Sequence, residues 1–453
     1  MTSATRAPAP AGAVPDWEAA TGEATALLSR YLQFNTLNPP AHSGEAARWL
    51  AGLLAAAGVD VALDGPRPEK LSVIARLPGG SAAPPLMLYS HIDVVPVAGQ
   101  PWSVDPFGGV IKDGAIWGRG ALDIKGLGMI QLLTVLNLRR HGVALGRDVL
   151  FVACPDEESF GPDGLAWIAD RRPEVRAATE VLDEGGSILP LAGHQIAMFT
   201  AAEKGSFDMR LTALGTAGHS SRPHGDNAFG RLARAITRVD GYMAPVRLRP
   251  ATRAFLATLA ALSGVSPAAG TALARLIESP AGPAAFALLR QPALQALFRS
   301  TAVVTMAQVG SAPNVIPARA DATLNARLLP GTDVRAFVGA LLRRIGDPRV
   351  QIRVLRGTAG SESPLDTPLA RAITAGVRAA APAIVTTPSL LPGMTDGGRL
   401  LRRRGKTVYG FAPYPLTLDL VSTIHSHDER LPIASLRTAL EIYWAVVTRA
   451  AGA

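Results

Sequence analysis

The sequence predicts an α/β protein built from a mixed-sheet domain that carries an inserted α+β domain of ferredoxin-like order. Three observations point there. The chain has 453 residues, 48% of them hydrophobic, which is more than one compact core usually holds. Short apolar runs alternate with helical patterns, the signature of a sheet with parallel strands. After Gly205 that texture gives way to alternating, half-exposed strands, and after about Gly357 it returns.

Asp16 is placed to cap a helix running from Trp17 to about Leu32. A second helix follows Ser43, with Trp49, Leu50, Leu53 and Leu54 on one face and Gly58 as a stop. Leu71 to Leu77, Leu86 to Ser90 and Asp148 to Cys154 read as strands, and Val181 to Asp183 ends another. Lys125 to Arg140 reads as a helix between them.

From residue 206 to 356 the order becomes β-α-β-β-α-β. The strands are Ser206 to Leu214, Thr301 to Val309, Ala318 to Leu328 and Val350 to Leu355; the helices are Asn227 to Met243 and Asp333 to Ile345. An Ala/Leu/Pro-rich insertion over about 244–300 interrupts this unit and reads as extra helices. Residues 16–205 and 357–453 form the main domain, which closes with helices from Pro368 to Ala381 and after Ser435. Residues 1–15 are Ala/Pro-rich and read as a disordered lead-in.

Bulk properties narrow the function classes. The net charge of +9 raises a nucleic-acid reading, but the arginines are spread along the chain. The tightest basic run, Arg402, Arg403, Arg404 and Lys406, has no interleaved aromatics, so it reads as a solvated surface. No stretch of about 20 apolar residues suggests a membrane span, and the N-terminus lacks the apolar core of a secretory signal. The single cysteine, Cys154, ends an apolar run and reads as a small buried hydrophobe. A cytoplasmic protein with no nucleic-acid or membrane partner is the expectation.

Five motifs carry chemistry. His91-Ile-Asp93 sets a carboxylate two residues from an imidazole, so one can bind a metal while the other orients it. Asp123 follows the glycine-rich Trp117-Gly-Arg-Gly and precedes a helix, a place where a capping role is equally natural. Asp156-Glu157-Glu158 puts three mutually repelling carboxylates at the end of a buried strand, and a divalent cation would resolve that repulsion. Leu182-Asp183-Glu184-Gly185-Gly186 is another strand-end carboxylate, and Ile424-His425-Ser426-His427-Asp428-Glu429 lies far away in sequence. Together they offer two histidines and three carboxylates, the set a pair of zinc ions needs. Spacing alone leaves Glu157 and Glu158 interchangeable as ligand and general base, and His425 no better than His427.

The order His, Asp, Glu-Glu, Asp, His resembles the M20 metallopeptidase family of di-zinc amidohydrolases. The block Ser90-His-Ile-Asp-Val-Val-Pro96 with Asp156-Glu-Glu158 carries the resemblance. Leu182-Asp-Glu-Gly-Gly186, the insertion after Met243 and Pro313-Asn-Val-Ile-Pro317 are similar to the Gly-X carboxypeptidase and N-acyl-amino-acid hydrolase branch. The resemblance implies a di-zinc catalytic domain with a lid inserted at 206–356. It implies two Zn2+ ions, with Co2+ or Mn2+ as substitutes, bridged by Asp123. His91 and Asp183 would complete one metal site and Glu158 and His425 the other. Glu157 would be the general base and Asp93 the residue that orients His91. The peptide bond after Asp123 is expected to be cis. His425 is preferred over His427 because it matches a His-x-x-Asn-Glu spacing, although Asp428 stands where Asn is common.

Gly218-His219-Ser220-Ser221 resembles the lid motif whose histidine supports the tetrahedral intermediate. Asn314, Arg327, Gly393 and Thr395 resemble contacts to a substrate carboxylate. The implied reaction is metal-dependent hydrolysis of an amide bond in an N-acyl amino acid or small peptide with a free carboxylate. A di- or tripeptidase and a catalytically silent metal-binding protein are the alternatives. The resemblance also implies a homodimer through the lid with His219 acting in trans, or, where the 244–300 insertion covers that surface, a different assembly or His219 acting in cis.

Overall fold

The computed structural model describes residues 14–40, 42–240, 242–279 and 295–453. The lead-in expected over 1–15 therefore falls almost wholly outside the described residues, as do 280–294 of the insertion. Asp16 caps the first helix, Trp17–Leu32, its side chain accepting from the Glu18 and Ala19 amides. The second helix runs over Gly44–Ala56 and stops before Gly58, which takes the left-handed conformation at φ 72. By Cα proximity the chain divides into two compact units. One comprises Met1–Ala201, Ser363–Ser389 and Thr395–Ala453, the other Ala202–Glu362 and Leu390–Met394.

The first unit is organised on a mixed sheet. Its centre is four parallel strands in the order Val149–Cys154, Leu86–His91, Glu180–Asp183, Thr407–Gly410. The first three are buried along their whole length, as strands covered on both faces must be, and read as unbroken apolar runs. The flanks are antiparallel. Asp60–Arg67 and Lys70–Leu77 form a tight hairpin on one side, and His194–Glu203 runs back along the other. The sheet is thus mixed, as expected: parallel at the centre and antiparallel at its flanks, where on one side the two-residue connection of the hairpin can only reverse the chain.

The helix Lys125–Arg140 is buried at every position from Lys125 to Leu138. A helix buried all round lies inside a core rather than upon it, and its buried polar groups find partners there, Lys125 with the Phe34 carbonyl and Gln131 with the Tyr89 carbonyl. One cluster of this unit gathers Met87, Tyr89, Leu150, Val152, Cys154, Val181 and Val408. Each aliphatic side chain so buried stabilises the fold by roughly 1.5–3 kcal/mol. That rigidity fixes where the strands end, and their carboxyl ends lie side by side, with His91 paired to Cys154 and Asp183 to Gly410.

The second unit holds a four-stranded antiparallel sheet in the order Thr301–Val309, Arg319–Leu328, Gly205–Leu214, Val350–Thr358. With strands counted along the chain, that order is 2-3-1-4, the ferredoxin-like arrangement. Arg319–Leu328 alternates exposed or half-buried with buried residues, as a strand with one covered face should. The helices Ala228–Asp240 and Val334–Ile345 supply Leu232, Ala235, Phe337 and Leu341 to the same core as Met209, Leu211 and Leu324. The insertion contributes Pro250–Leu262 and Pro267–Glu278. The turn-rich stretch before Pro317 contains a short strand, Val315–Ile316, paired with Gly218–His219. Two-residue strands carry no periodicity, so the sequence does not mark this one.

Candidate metal centre

The central strands deliver their acids and imidazole from one edge of the sheet. His91 is the last residue of its strand and is buried, with Asp93 two residues beyond. Glu157 and Glu158 follow the Val149–Cys154 strand across a turn in which Asp156 takes φ 74. Glu184 follows the Glu180–Asp183 strand. Asp123 stands two residues before the buried helix Lys125–Arg140, and its peptide bond to Ile124 is cis, as expected. His425 comes from a loop after the Leu418–Val421 helix and is half exposed.

Asp123 sits between the two imidazoles. Its Oδ1 lies 3.3 Å from His91 Nε2 and its Oδ2 lies 3.1 Å from His425 Nε2. Glu184 Oε2 is 3.6 Å from His91 Nε2, and Glu158 Oε2 is 3.3 Å from His425 Nε2. Two ligand groups result, His91-Asp123-Glu184 and Asp123-Glu158-His425, in each of which the donor atoms fall within 4.8 Å of one another. Glu157 belongs to neither; its Oε2 is 4.0 Å from His91 Nε2. His427 is likewise outside both groups.

The donor set fits a divalent metal pair. His91 Nε2 and Glu158 Oε1 are buried without a hydrogen-bond partner among the described residues, an expensive state unless something else satisfies them. Nitrogen and carboxylate oxygen at a shared focus are zinc-type ligands. His91 Nδ1 faces the backbone carbonyl of Asp93 at 2.9 Å, which turns Nε2 toward the acids.

Electrostatics report the same crowding. Burial, and then the charge of Glu184, push Glu157 well above the ordinary carboxyl range. Burial raises Glu184 to about 8 even though the His91 charge opposes it. Hydrogen bonds to Asp123 and Glu158 raise His425 to about 10. Burial works against a charge on His91, but Glu184 and Asp123 outweigh it and hold the imidazole well above its ordinary value. The glutamates and imidazoles are held up while Asp123, which burial alone would raise, is held down by hydrogen bonds to the two imidazoles, so the imidazoles carry charge beside Asp123 where a cation would otherwise sit.

Two of the expected residues make contacts other than those the resemblance implies. Asp183 does not face His91; Glu184, its neighbour, does. Asp183 Oδ2 instead accepts from Thr395 Oγ1 at 2.7 Å, and a Cβ on Gly397 would sit 2.0 Å from that oxygen. Successive residues past a strand end point in different directions, and the spacing of the motif does not say which of two adjacent acids turns inward. Thr395, expected at the substrate, is buried with its hydroxyl committed to Asp183.

Asp93 does more than stand near His91. Its carboxylate accepts from the Glu157 and Glu158 amides at 3.2 and 3.1 Å and from Asn38 Nδ2 at 2.7 Å. It therefore fixes the backbone that carries both glutamates, while its Oδ1 lies 3.7 Å from His91 Nδ1. Asn38, which also reaches Asp156 and Ser159, has no motif around it that would have singled it out.

The remaining predicted residues lie in the second unit. His219 is exposed, with Nδ1 2.7 Å from Ser221 Oγ. The Asn314 carbonyl accepts from the Ser220 amide at 3.0 Å, which ties the His219 segment to the Asn314 turn. Arg327 is half buried on the Arg319–Leu328 strand, and its Nε donates to Asn325 Oδ1 at 3.1 Å. Gly393 falls within Leu390–Met394.

Comparison with known proteins gives the same picture. The model of peptidase family M20/M25/M40 matches residues 87–449. The chain is 30% identical to the probable carboxypeptidase S-like 2 of Dictyostelium discoideum, over 80% of this chain and 71% of that one. It is 29% identical to the human N-fatty-acyl-amino acid synthase/hydrolase PM20D1, over 81% of this chain and 74% of that one. Among solved structures, the M20 family metallo-carboxypeptidase Sso-CP2 from Sulfolobus solfataricus superposes with a TM-score of 0.68 at 21% identity, covering 94% of this chain and 99% of that one. The family match spans well over half of the chain and takes in every residue of the two ligand groups, so this protein belongs to peptidase family M20/M25/M40 and is a metallohydrolase of amide bonds.

Proposed function

We propose that the chain hydrolyses the amide bond of N-acyl amino acids, or of small peptides, that carry a free carboxylate. The observation that carries this reading is Asp123 facing two imidazoles with its two oxygens while Glu157 lies buried beside them. His91, Asp123 and Glu184 would hold one metal, and Asp123, Glu158 and His425 the other; Glu184 takes the place first given to Asp183. Zinc suits these ligands, with cobalt or manganese as substitutes. Metal ions held there supply Lewis-acid charge, which polarises a carbonyl and acidifies water.

The chain's own groups do the rest. Glu157 takes the proton of the attacking water and returns it to the departing amine, a role that suits a buried carboxyl standing outside both ligand groups. Asp93 holds Glu157 in place through the backbone. His219 would stabilise the oxyanion, and Arg327, Asn314 and Gly393 would meet the substrate carboxylate, for which a guanidinium fork is the apt partner. The buried ammonium of Lys204, lowered to about 8 by burial and by Arg327, adds positive charge near that arginine.

A homodimer through the 206–356 domain belongs to the same reading. The edge strand Thr301–Val309 leaves Val303 and Met306 exposed, a surface a second copy would cover. A cytoplasmic setting is also part of it, since the one cysteine is a buried free thiol and asks for no oxidising compartment.

The test is a side-by-side assay of N-acyl amino acids, their carboxamides and free peptides. Preference for the N-acyl carboxylates supports the reading. Turnover confined to free peptides would make the protein a di- or tripeptidase instead.

A further inference from the structure

The loop that brings His425 to the site is fastened at three points, and none of the fastening residues is a metal ligand. Glu429 is fully buried, and its carboxylate is the hub. Oε2 accepts from Arg119 Nη1 at 2.6 Å and from the Gly120 amide at 3.1 Å. Oε1 accepts from the Leu122 amide at 2.8 Å and from the Asp123 amide at 3.0 Å. A carboxylate buried against a guanidinium and three backbone amides is well satisfied, and such charge-assisted bonds are strong and directional.

From Arg119 the chain of contacts returns to the other ligand. Arg119 Nη2 donates to Gln100 Oε1 at 2.7 Å, and Gln100 Nε2 donates to the carbonyl of His425 at 3.0 Å. Trp102 donates its indole N–H to the same Gln100 oxygen at 3.1 Å, and its ring lies 5.1 Å from the Arg119 guanidinium. Asp428 closes the third point by accepting from the Ser103 amide at 2.8 Å and hydroxyl at 2.9 Å. Asn would accept there equally well, so the departure from the family's spacing costs nothing at this contact.

We infer that Glu429 and Gln100 are positioning residues that hold Asp123 and His425 at one spacing, and that Gln100, which of the ligands reaches His425 alone, sets the affinity of the Asp123-Glu158-His425 site without setting that of the other. This rests on the dinuclear reading above. The His91-Asp123-Glu184 site shares only Asp123 with the network; its remaining donors are fixed by strand ends. Residues that orient metal ligands from behind commonly change affinity by about 10- to 100-fold when altered.

The experiment is cobalt(II) titration of the full metal-depleted chain, followed by calorimetry and by the visible absorption of the bound ion. His425→Ala serves to mark which equivalent and which spectral band belong to its site. Gln100→Ala should weaken that equivalent about 10- to 100-fold and shift its band, leaving the other equivalent within about twofold. Its metal-free melting temperature should match wild type, because Gln100 is only partly buried. Glu429→Gln should weaken that equivalent more strongly and, because Glu429 also holds the amide of the shared Asp123, lower the other equivalent as well. The assignment is overturned if Gln100→Ala leaves both affinities at wild-type values, or lowers both alike. Wild-type protein that takes up fewer than two equivalents would sink the dinuclear reading itself, an outcome visible before any variant is compared.

Discussion

The two halves of the metal site are built by different means. His91 and Glu184 stand at the ends of adjacent parallel strands, inside a core that fixes them as a by-product of folding. His425 rides on a half-exposed loop, at φ 61, with Asp428 at φ 58. Left-handed backbone costs a residue with a Cβ roughly 1–2 kcal/mol, so such conformations persist only where the surroundings impose them. Here the imposing groups are Glu429, Gln100 and Ser103. One half is positioned by strand ends and the other by a polar network whose hub, the Arg119–Glu429 pair, is buried while its outer link, Gln100, is only partly so.

The largest expected effect falls on Glu157, which stands on the buried side but outside either ligand group. Glu157→Gln should lower kcat about 10²- to 10⁴-fold, the usual worth of a general base, with both metal equivalents retained. Near-wild-type turnover in that variant would remove Glu157 from the mechanism.

Next comes the contrast between the histidines. His91→Ala should abolish binding at the first group and lower the melting temperature, because it empties a buried position. His425→Ala should lose one equivalent with a smaller drop in melting temperature than His91→Ala, since His425 is half exposed. Equal destabilisation by both would erase the distinction drawn between the halves.

A finer cut is Glu184→Gln against Asp183→Asn. The first should weaken cobalt binding at the His91 group by an order of magnitude or more, as loss of a ligand charge does. The second should leave cobalt affinity much closer to wild type, since Asp183 is turned to Thr395. The reverse ranking would return the ligand role to Asp183.

The smallest effect is on pH. Glu184 is raised from 4.5 to about 8, so between those values the folded chain binds a proton that the unfolded chain has released. His425, raised from 6.5 to about 10, does the same in the next window. More protons on the folded state mean stability that falls as pH rises. Metal-depleted protein should therefore melt several degrees lower at pH 9 than at pH 6, and metal should add more stability at the higher pH. A flat or rising profile would contradict the proton-filled site.

Much of this was legible in the sequence, for identifiable reasons. Unbroken apolar runs such as Val149–Cys154 announce buried strands, and their last residues announce where a site can form. The β-α-β-β-α-β order of the second unit was likewise readable from period and turn signals. What stayed hidden depends on direction rather than type. Asp183 and Glu184 are adjacent acids, and only the backbone past the strand decides which one turns inward. Thr395 reads as a substrate contact by resemblance alone, and no motif announces that its hydroxyl partner is Asp183, 212 residues away in sequence. Glu429 sat inside a motif already singled out, yet its work is on the amides of residues 120 to 123, which no spacing rule connects to it.

The most direct test of the central claim is metal depletion and stepwise return. Protein stripped of metal is titrated with zinc while hydrolysis of an N-acyl amino acid and bound zinc are followed together. The account predicts no turnover in the stripped protein, two equivalents bound, and activity restored as they fill. Full turnover without metal, or activity indifferent to bound zinc, would contradict it.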